Sequence, residues 1–207
     1  MKMGEVIHKI NIYSDQNHII VTDVGQHQMT ACRYAKIKNT RSIITSGGLG
    51  TMGFCLPAAI GAKIANPDRV VISLVGDGGF GQNPAMLATA VERNLGIVWI
   101  VMNNNAFGTI AGLQKAHYGV TYGTVFPGKV GDNEITPNYA DIAKAYGAKG
   151  FKVSSAKELL PAIKDAIKSG KPTVIDVAMI NNPTPTTGHW NILDIYSPNE
   201  DVSHVTT

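Results

Sequence analysis

Short runs of consecutive apolar residues alternate along the chain with longer segments whose apolar residues recur every three or four positions. Strands buried on both faces are apolar at nearly every position, so the short runs predict strands at 18–23, 43–44, 70–75, 97–102, 149–153 and 172–178. The helical spacing predicts helices at 3–13, 27–36, 54–65, 84–93, 139–146 and 155–169. This alternation predicts an α/β fold, a doubly wound and mostly parallel sheet with helices on both faces.

Two stretches lie outside this alternation. Residues 105–137 are rich in Gly, Thr and Pro, which predicts a long connection of a functional or mobile kind. Residues 181–207 are rich in Pro, Thr, Ser and Asn, which predicts either an extended tail lying over a surface or a partner, or a disordered tail. We therefore expect one domain over residues 1–180 and an extended C-terminal tail over residues 181–207.

Composition narrows the class of protein. The 207 residues are 44% hydrophobic, which fits a globular domain with its own core. The net charge is +3, but no run of Lys and Arg accompanies it, so we expect no nucleic-acid binding. Cys32 and Cys55 are too few for a disulfide framework or a metal cluster, and their apolar surroundings predict buried thiols. Without a signal sequence or an 18-residue apolar run, we expect a cytoplasmic protein with no membrane segment.

The most informative polar residues follow two neighbouring strands. Gly76, Asp77 and Gly78 end one predicted strand, and Asn103 and Asn104 end the next, with 24 residues and a predicted helix between the two motifs. Ligands bind at this edge of open α/β sheets, and glycines let backbone N–H groups approach an anion closely. One Asp and one Asn carry too little charge to hold Mg²⁺ alone, but substrate phosphates often complete its coordination. The motifs predict a metal-bridged diphosphate site; the alternative is an ordinary crossover with a glycine turn.

These motifs resemble those of a known family. A Gly-Asp-Gly followed at this distance by Asn-Asn is similar to the thiamine diphosphate motif. Residues 24–29 (VGQHQM), 45–54 (TSGGLGTMGF) and 56–62 (LPAAIGA) resemble the large subunits of acetolactate synthases and their relatives. The resemblance covers about residues 15–180 and corresponds to the diphosphate-binding (PP) domain of that family. It implies thiamine diphosphate and Mg²⁺ as cofactors.

The resemblance also implies a role for each candidate residue. Asp77 and Asn104 would coordinate Mg²⁺ through their side chains, and Ala106 through its carbonyl oxygen. Met52 would hold the cofactor in its bent, reactive shape, while the Gly50 carbonyl would accept a hydrogen bond from its 4′-amino group. These two residues are the catalytic candidates in this chain. The other cofactor-binding residues would be Gly25, Gln26, His27, Gly76, Gly78, Gly79, Phe107 and Gly108. Outside their motifs, His27 and Met52 would be interpreted as core residues.

One catalytic part of the family has no counterpart in this sequence. Relatives activate the cofactor with a glutamate from a pyrimidine-binding (PYR) domain on the neighbouring subunit, and Glu5, Glu92 and Glu134 lie in no similar motif. The resemblance therefore implies a separate PYR-domain subunit, in an α₂β₂ assembly or a multiple of it. The middle domain that binds FAD in acetolactate synthases has no counterpart either, so we expect no flavin.

The implied activity is that of a PP-domain subunit of a split enzyme acting on a small 2-oxo acid. Decarboxylation with carboligation, as in acetolactate synthase, is the first interpretation. A decarboxylase subunit similar to that of sulfopyruvate decarboxylases, or a non-catalytic cofactor-binding or regulatory subunit, is the alternative. Leu113 stands where acetolactate synthases have a Trp, and Thr109 where a Met is common, so the acceptor pocket differs. His117 and Tyr118 are candidates for facing the substrate.

Overall fold

The computed structural model describes residues 1–13, 16–126, 129–130, 133–134 and 137–180. Its helices are α1 (Met3–Tyr13), α2 (Gln26–Tyr34), α3 (Cys55–Ala65), α4 (Asp77–Gln82), α5 (Met86–Glu92), α6 (Gly108–Tyr118), α7 (Tyr139–Ala145) and α8 (Ala156–Ser169). Its strands are β1 (Ile19–Thr22), β2 (Ile43–Thr45), β3 (Val71–Gly76), β4 (Ile97–Asn103), β5 (Lys129–Val130), β6 (Asn133–Glu134), β7 (Lys149–Val153) and β8 (Thr173–Ala178). The predicted tail, 181–207, lies outside the described residues.

Six strands form one parallel sheet in the order β2-β1-β3-β4-β8-β7, which confirms the predicted fold class. The short strands β5 and β6 pair separately as an antiparallel ribbon. From β1 the chain adds β2 on one side and then returns to add β3 on the other. The strand order therefore reverses between β1 and β3, and such a reversal opens a crevice at the carboxyl ends of the two strands.

The sheet separates two apolar layers. Alternate residues of β4 point to opposite faces, because successive side chains of a strand alternate. Ile97, Trp99 and Val101 pack in one cluster with buried residues of α3, α5 and α7. Their neighbours along β4 pack in the other cluster with α1, α2 and α8. Because α2 and α5 cover opposite faces, the segments that leave β1 and β3 diverge and frame the crevice between them.

Two helices were not predicted. α4 has the sequence DGGFGQ, and α6 begins with Gly-Thr inside the predicted connection 105–137. Glycine is among the poorest helix formers, so propensity gave no signal in either place. The predicted long connection over residues 105–137 therefore contains α6 and the short strands β5 and β6, which the sequence did not indicate. α6 is held in the tertiary structure by buried Ala111 and Gly112, and it ends at Gly119, whose φ is +73°.

The predicted burial of the two cysteine thiols is correct for one and wrong for the other. The thiol of Cys55 is buried as expected, whereas Cys32 lies on the exposed side of α2, so its predicted burial is wrong. α2 is amphipathic and contributes only one of its faces to the core, and Cys32 falls on the other.

In the part of the chain that is described, no helix has the length and apolarity needed to cross a membrane.

Candidate functional site

A cavity of about 260 Å³ lies at the carboxyl ends of β1, β3 and β4. Every residue for which the resemblance implies a cofactor-binding, metal-binding or catalytic role lines this cavity, namely Gly25, Gln26, His27, Gly50, Met52, Gly76, Asp77, Gly78, Gly79, Asn104, Ala106, Phe107 and Gly108. The structure thus brings together four segments that are up to 83 positions apart in sequence. Their individual roles remain predictions.

Three helices begin at this cavity. α2 starts at Gln26, α4 at Asp77 and α6 at Gly108, and each of these first residues lines the cavity. None of the three N-terminal caps makes a side-chain hydrogen bond to its helix. The first N–H groups of a helix have no partner within the helix, and the helix dipole places positive charge there. The arrangement therefore favours an anion in the cavity.

Asp77 is the one acidic side chain among the described residues that line the cavity. It is only 5% exposed, and its two carboxylate oxygens accept hydrogen bonds from the backbone N–H groups of Gly78, at 2.9 Å, and Ala106, at 3.1 Å. Burial nevertheless raises the pKa of this carboxyl from 3.8 to about 6. The Ala106 bond also connects the two predicted motifs directly, since it joins the start of α4 to the turn after β4.

The Asn104 side chain is buried beside the start of α6. A Cβ atom placed on Gly108 would lie 2.8 Å from Nδ2 of Asn104 and 2.5 Å from Oε1 of Gln26. The Gln26 amide in turn donates to the Gly108 carbonyl oxygen at 3.3 Å. Only glycine leaves room at position 108 for both amide side chains, which explains why α6 begins with this residue.

Gly78 is enclosed by two other candidates. A Cβ atom at this position would lie 2.5 Å from the Phe107 ring and 3.0 Å from the terminal methyl group of Met52. Phe107 itself packs edge-on against Phe126, with ring centroids 5.0 Å apart. The Gly78 backbone is therefore covered by apolar side chains, and its N–H donates to Asp77 Oδ1.

His27 is buried, and burial lowers the pKa of its imidazole from 6.5 to about 4. The backbone carbonyl of Asp23 accepts a hydrogen bond from the ring. Within the described ranges, no group lies within hydrogen-bonding distance of the other ring nitrogen, Nε2. An unpartnered polar atom is costly in the interior, so this nitrogen beside the cavity has capacity for a ligand.

Residues 46–53, named here the Met52 loop, carry Gly50 and Met52 to the cavity. Gly50 adopts a φ of +62°, a conformation that favours glycine. Sequence reasoning missed the residue behind this loop, Asp23, whose carboxylate accepts from the backbone N–H groups of Gly53 and Cys55. A carboxylate directly after a buried strand was the available signal for it.

A second missed group lies on the far side of the cavity wall. The buried carboxylate of Asp176 on β8 accepts from the Asn103 amide at 3.3 Å and from the Tyr139 backbone N–H at 3.2 Å. The Tyr139 hydroxyl donates to the Asp77 carbonyl oxygen at 3.3 Å. Residues of α7 and β8 therefore hydrogen-bond to both strand-end motifs. No local sequence pattern indicated these contacts.

The substrate candidates have separate positions. Thr109 lines the cavity from the first turn of α6, whereas Leu113 is half-buried one turn later. His117 and Tyr118 are exposed in the last turn of α6 and do not line the cavity. The structure therefore brings Thr109, and neither His117 nor Tyr118, to the other site residues.

The opposite pKa shifts of Asp77 and His27 predict compensating pH effects. A carboxyl whose pKa rises from 3.8 to about 6 on folding reduces stability as the pH rises through that window. An imidazole whose pKa falls from 6.5 to about 4 reduces stability as the pH falls through its own window. The two slopes oppose each other between about pH 4 and pH 6.

Asp77→Asn should therefore uncover the slope of His27. Between pH 4 and pH 7 the free energy of unfolding should rise by about 3 kcal/mol more in this variant than in the wild type, since one pKa unit is worth ~1.4 kcal/mol. His27→Gln should change the difference by about the same amount in the opposite direction. Urea unfolding of the ligand-free chain across this pH range measures both, and variant curves parallel to the wild type would contradict the burial-driven shifts.

Comparison with known proteins adds independent information. Residues 23–177 match the family model for the thiamine pyrophosphate enzyme, C-terminal TPP binding domain. The chain is 38% identical over 204 residues to a probable acetolactate synthase large subunit of Methanococcus aeolicus, a match covering 95% of this chain and 33% of that relative. It is 41% identical over 174 residues to the acetolactate synthase large subunit of Lactococcus lactis, covering 84% of this chain and 29% of the relative.

The chain thus spans about a third of the length of these relatives. The family match covers both strand-end motifs, the Met52 loop and all three helix starts at the cavity. The chain belongs to the thiamine pyrophosphate (thiamine diphosphate) enzyme family and contains its C-terminal, cofactor-binding domain.

Proposed function

We propose that this chain is the PP-domain subunit of a split enzyme that uses thiamine diphosphate and Mg²⁺ to act on a small 2-oxo acid. The observation that carries the proposal is the convergence of three uncapped helix N-termini with Asp77 and Asn104 on one cavity. The names of the relatives favour decarboxylation with carboligation, because they are acetolactate synthase large subunits.

The charges around the cavity fit a diphosphate only with a cation. Among the described residues that line it there is one carboxylate, Asp77, and no Lys or Arg. A diphosphate beside Asp77 would meet like charge, which a divalent cation between them removes. Mg²⁺ prefers oxygen ligands, and Asp77, Asn104 and the Ala106 carbonyl, whose residues all line the cavity, would supply them. No cluster of three or more His, Cys, Asp or Glu side chains occurs in the described ranges, so the diphosphate and water would complete the coordination.

The remaining donors fit the diphosphate itself. Gly78 and Gly108 line the cavity at helix starts, and only glycine fits at either position because a Cβ atom would collide with neighbouring side chains. The neutral His27 ring donates its Nδ1–H to the Asp23 carbonyl, so its unpartnered Nε2 carries a lone pair and would donate to the diphosphate only when the ring is protonated. The neutral donors to the anion would therefore be backbone N–H groups, aided by the helix dipoles.

Thiamine diphosphate, when bound, supplies an electron sink for removing CO₂ from a 2-oxo acid. The residues of this chain would bind its diphosphate, orient its rings and exclude water. Met52 would pack against the rings from the side of Gly78, and the Gly50 carbonyl oxygen would accept from the amino group of the pyrimidine. Neither residue can act as an acid or base, and the glutamate that activates the cofactor in relatives would have to come from another chain.

We infer that a PYR-domain subunit supplies that group. None of the described residues around the cavity is a glutamate. Large apolar side chains are exposed near it on the Met52 loop, on α6 and on the segment after α6, namely Leu49, Ile110, Tyr118, Val120, Tyr122 and Phe126. Leu49 is 95% exposed although it adjoins Gly50. An apolar patch of this kind marks a protein–protein contact, and an α₂β₂ assembly or a multiple of it would cover the patch.

Simple decarboxylation of a 2-oxo acid is the second candidate function. Thr109, which lines the cavity, and Leu113 stand where acetolactate synthases carry Met and Trp. A smaller, more polar side chain and the loss of an aromatic one change the space in which a second carbonyl substrate would lie. Product analysis with the assembled enzyme separates the two: a hydroxy-oxo acid indicates carboligation, whereas an aldehyde indicates decarboxylation alone.

Calorimetric titration with thiamine diphosphate tests the proposal at the level of the cofactor. We expect the chain, co-purified with its partner, to bind the cofactor with Mg²⁺ and to bind it far more weakly with EDTA. The same preparation should release CO₂ from at least one member of a 2-oxo acid panel. A preparation that fails to bind the cofactor in the presence of Mg²⁺ would exclude the proposed function.

Met52→Ala should slow exchange of the C2 proton of the cofactor by at least about tenfold. Without the Met52 side chain the rings of the cofactor would be misoriented, although the cofactor would stay bound. The diphosphate contacts remain, so the dissociation constant should change less than the exchange rate. Met52 is half-buried, so the stability loss should lie below the ~2–5 kcal/mol typical of a fully buried Met→Ala change. Hydrogen–deuterium exchange at C2 in the assembled enzyme measures the effect.

Met52→Leu is the matched control, since it keeps the side-chain volume and should retain most of the exchange rate. If Met52→Ala exchanges C2 at the wild-type rate, Met52 is a packing residue and has no part in shaping the cofactor.

A further inference from the structure

Asp23 carries a fully buried carboxylate at the end of β1. Its Oδ2 atom accepts from the Gly53 N–H at 3.0 Å, and its Oδ1 atom accepts from the Cys55 N–H at 3.2 Å. These two N–H groups lie where the Met52 loop ends and α3 begins. The side chain therefore fastens the Met52 loop to the strand end from which the segment with Gly25 and His27 departs.

The same carboxylate meets the third cofactor segment. A Cβ atom on Gly79, in α4, would lie 1.8 Å from Asp23 Oδ2. The carboxylate therefore leaves no room for a side chain at this position. The Asp23 backbone carbonyl also accepts a hydrogen bond from the His27 ring. One residue thus touches the Met52 loop, the start of α4 and His27.

The buried Asp23 carboxylate has a cost. Removing a carboxylate from water costs several kcal/mol before its hydrogen bonds compensate. A side chain at the N-cap of α3 could not replace it, because an N-cap bonds the N2 or N3 N–H and not those of Gly53 and Cys55. The N-cap of α3 is Phe54, which makes no side-chain cap bond. The start of α3 differs in this respect from α2, α4 and α6, because a distant residue of the chain fills it.

We propose that Asp23 is a positioning residue for the pyrimidine end of the cofactor: it fixes the Met52 loop so that Gly50 and Met52 stand at a set distance from the diphosphate site. This inference rests on the proposed function. It predicts that Asp23 acts on cofactor activation more than on cofactor affinity, since Asp77, Asn104 and the helix N-termini are left in place.

Asp23→Asn tests the proposal in the assembled enzyme. The variant keeps the shape but turns an NH₂ group toward one of the two backbone N–H groups, so the Met52 loop must shift. We expect C2-proton exchange of bound thiamine diphosphate to slow by about 10- to 100-fold, while the dissociation constant changes by less than about threefold. A residue that served stability alone would lower the melting temperature and leave the exchange rate of the folded protein unchanged.

Amide hydrogen exchange of the cofactor-free chain gives a second readout. The Gly53 and Cys55 N–H groups should exchange faster in Asp23→Asn than in the wild type. Asp176→Asn is the matched control, because Asp176 is also a buried carboxylate that accepts from two donors. In that control, exchange of the Gly53 and Cys55 amides should stay as in the wild type.

A double-mutant cycle tests the contact with Gly79. Alanine is the better helix former, so Gly79→Ala would raise the melting temperature if nothing stood in its way. We expect it to lower the melting temperature in the wild-type background and to leave it unchanged or raise it in the Asp23→Ala background. If the changes in melting temperature caused by the two substitutions are additive, Asp23 and Gly79 are not in steric conflict.

The outcomes distinguish a failure of the proposed function from a failure of the positioning role of Asp23. If the wild-type assembly does not bind thiamine diphosphate, the proposed function fails and the inference fails with it. If the wild type binds and Asp23→Asn exchanges the C2 proton at the wild-type rate, the proposed function stands and the positioning role of Asp23 is refuted. Slowed exchange with retained affinity supports the positioning role.

Discussion

Asp77→Asn is expected to abolish Mg²⁺-dependent binding of thiamine diphosphate, with a loss of affinity of about 100-fold or more, equivalent to ~3 kcal/mol. The carboxylate is the one negative side chain among the described residues lining the cavity, so the variant removes the formal charge that a cation would neutralise there. Burial raises the pKa of this carboxyl to about 6 despite its backbone hydrogen bonds, and a bound cation would favour its ionised form. Calorimetric titration of the assembled enzyme at fixed Mg²⁺ measures the loss.

Asp68→Asn provides the matched control, since it makes the same change of charge at an exposed position away from the cavity. Its affinity for the cofactor should equal that of the wild type. Circular dichroism should show that Asp77→Asn remains folded, because an amide can still accept one of the two backbone hydrogen bonds. A folded Asp77→Asn protein with unchanged cofactor affinity would contradict the assignment of Asp77 as a Mg²⁺ ligand.

The second large effect concerns the partner. The 207-residue chain alone should show turnover of 2-oxo acids at least about 100-fold below that of the assembly, because general acid–base groups typically contribute 10²–10⁴-fold and no glutamate occurs among the described residues that line the cavity. Adding the PYR-domain subunit should restore activity, which a CO₂-release assay at several mixing ratios would show.

Leu49→Asp gives a structural check on the same point. A charge at this exposed apolar position should leave the fold of the isolated chain intact and weaken its association with the partner. Analytical ultracentrifugation of mixtures measures that association. Full turnover by the isolated chain, rigorously free of other polypeptides, would refute the split-enzyme proposal.

The sequence was sufficient for those parts of the fold and site that depend on local pattern. The apolar runs of β3 and β4 predict buried strands because both faces of a central parallel strand are covered. Their neighbouring positions in the sheet then bring Asp77 and Asn104 to one edge, where the structure also places them. The resemblance to acetolactate synthase large subunits adds the Met52 loop and the segment at Gly25.

What the sequence could not provide depends on tertiary contact. α4 forms from a glycine-rich segment because the fold, not propensity, holds it, and α6 is stabilised by burial of its small residues. The supporting carboxylates Asp23 and Asp176 act on residues 30 or more positions away. No periodicity links such partners, so buried charges of this kind become visible only when the strands are assembled.

The three uncapped helix ends have a consequence for the amount of protein in a cell. A ligand that completes their hydrogen bonding binds the folded chain and not the unfolded one, and at a free concentration 100 times its dissociation constant it adds about 2.7 kcal/mol of stability. The unfolded fraction would then fall about a hundredfold with an adequate vitamin supply and rise again during starvation. Proteases act on that fraction. Abundance of this polypeptide would therefore follow thiamine availability without any change in its gene's transcription.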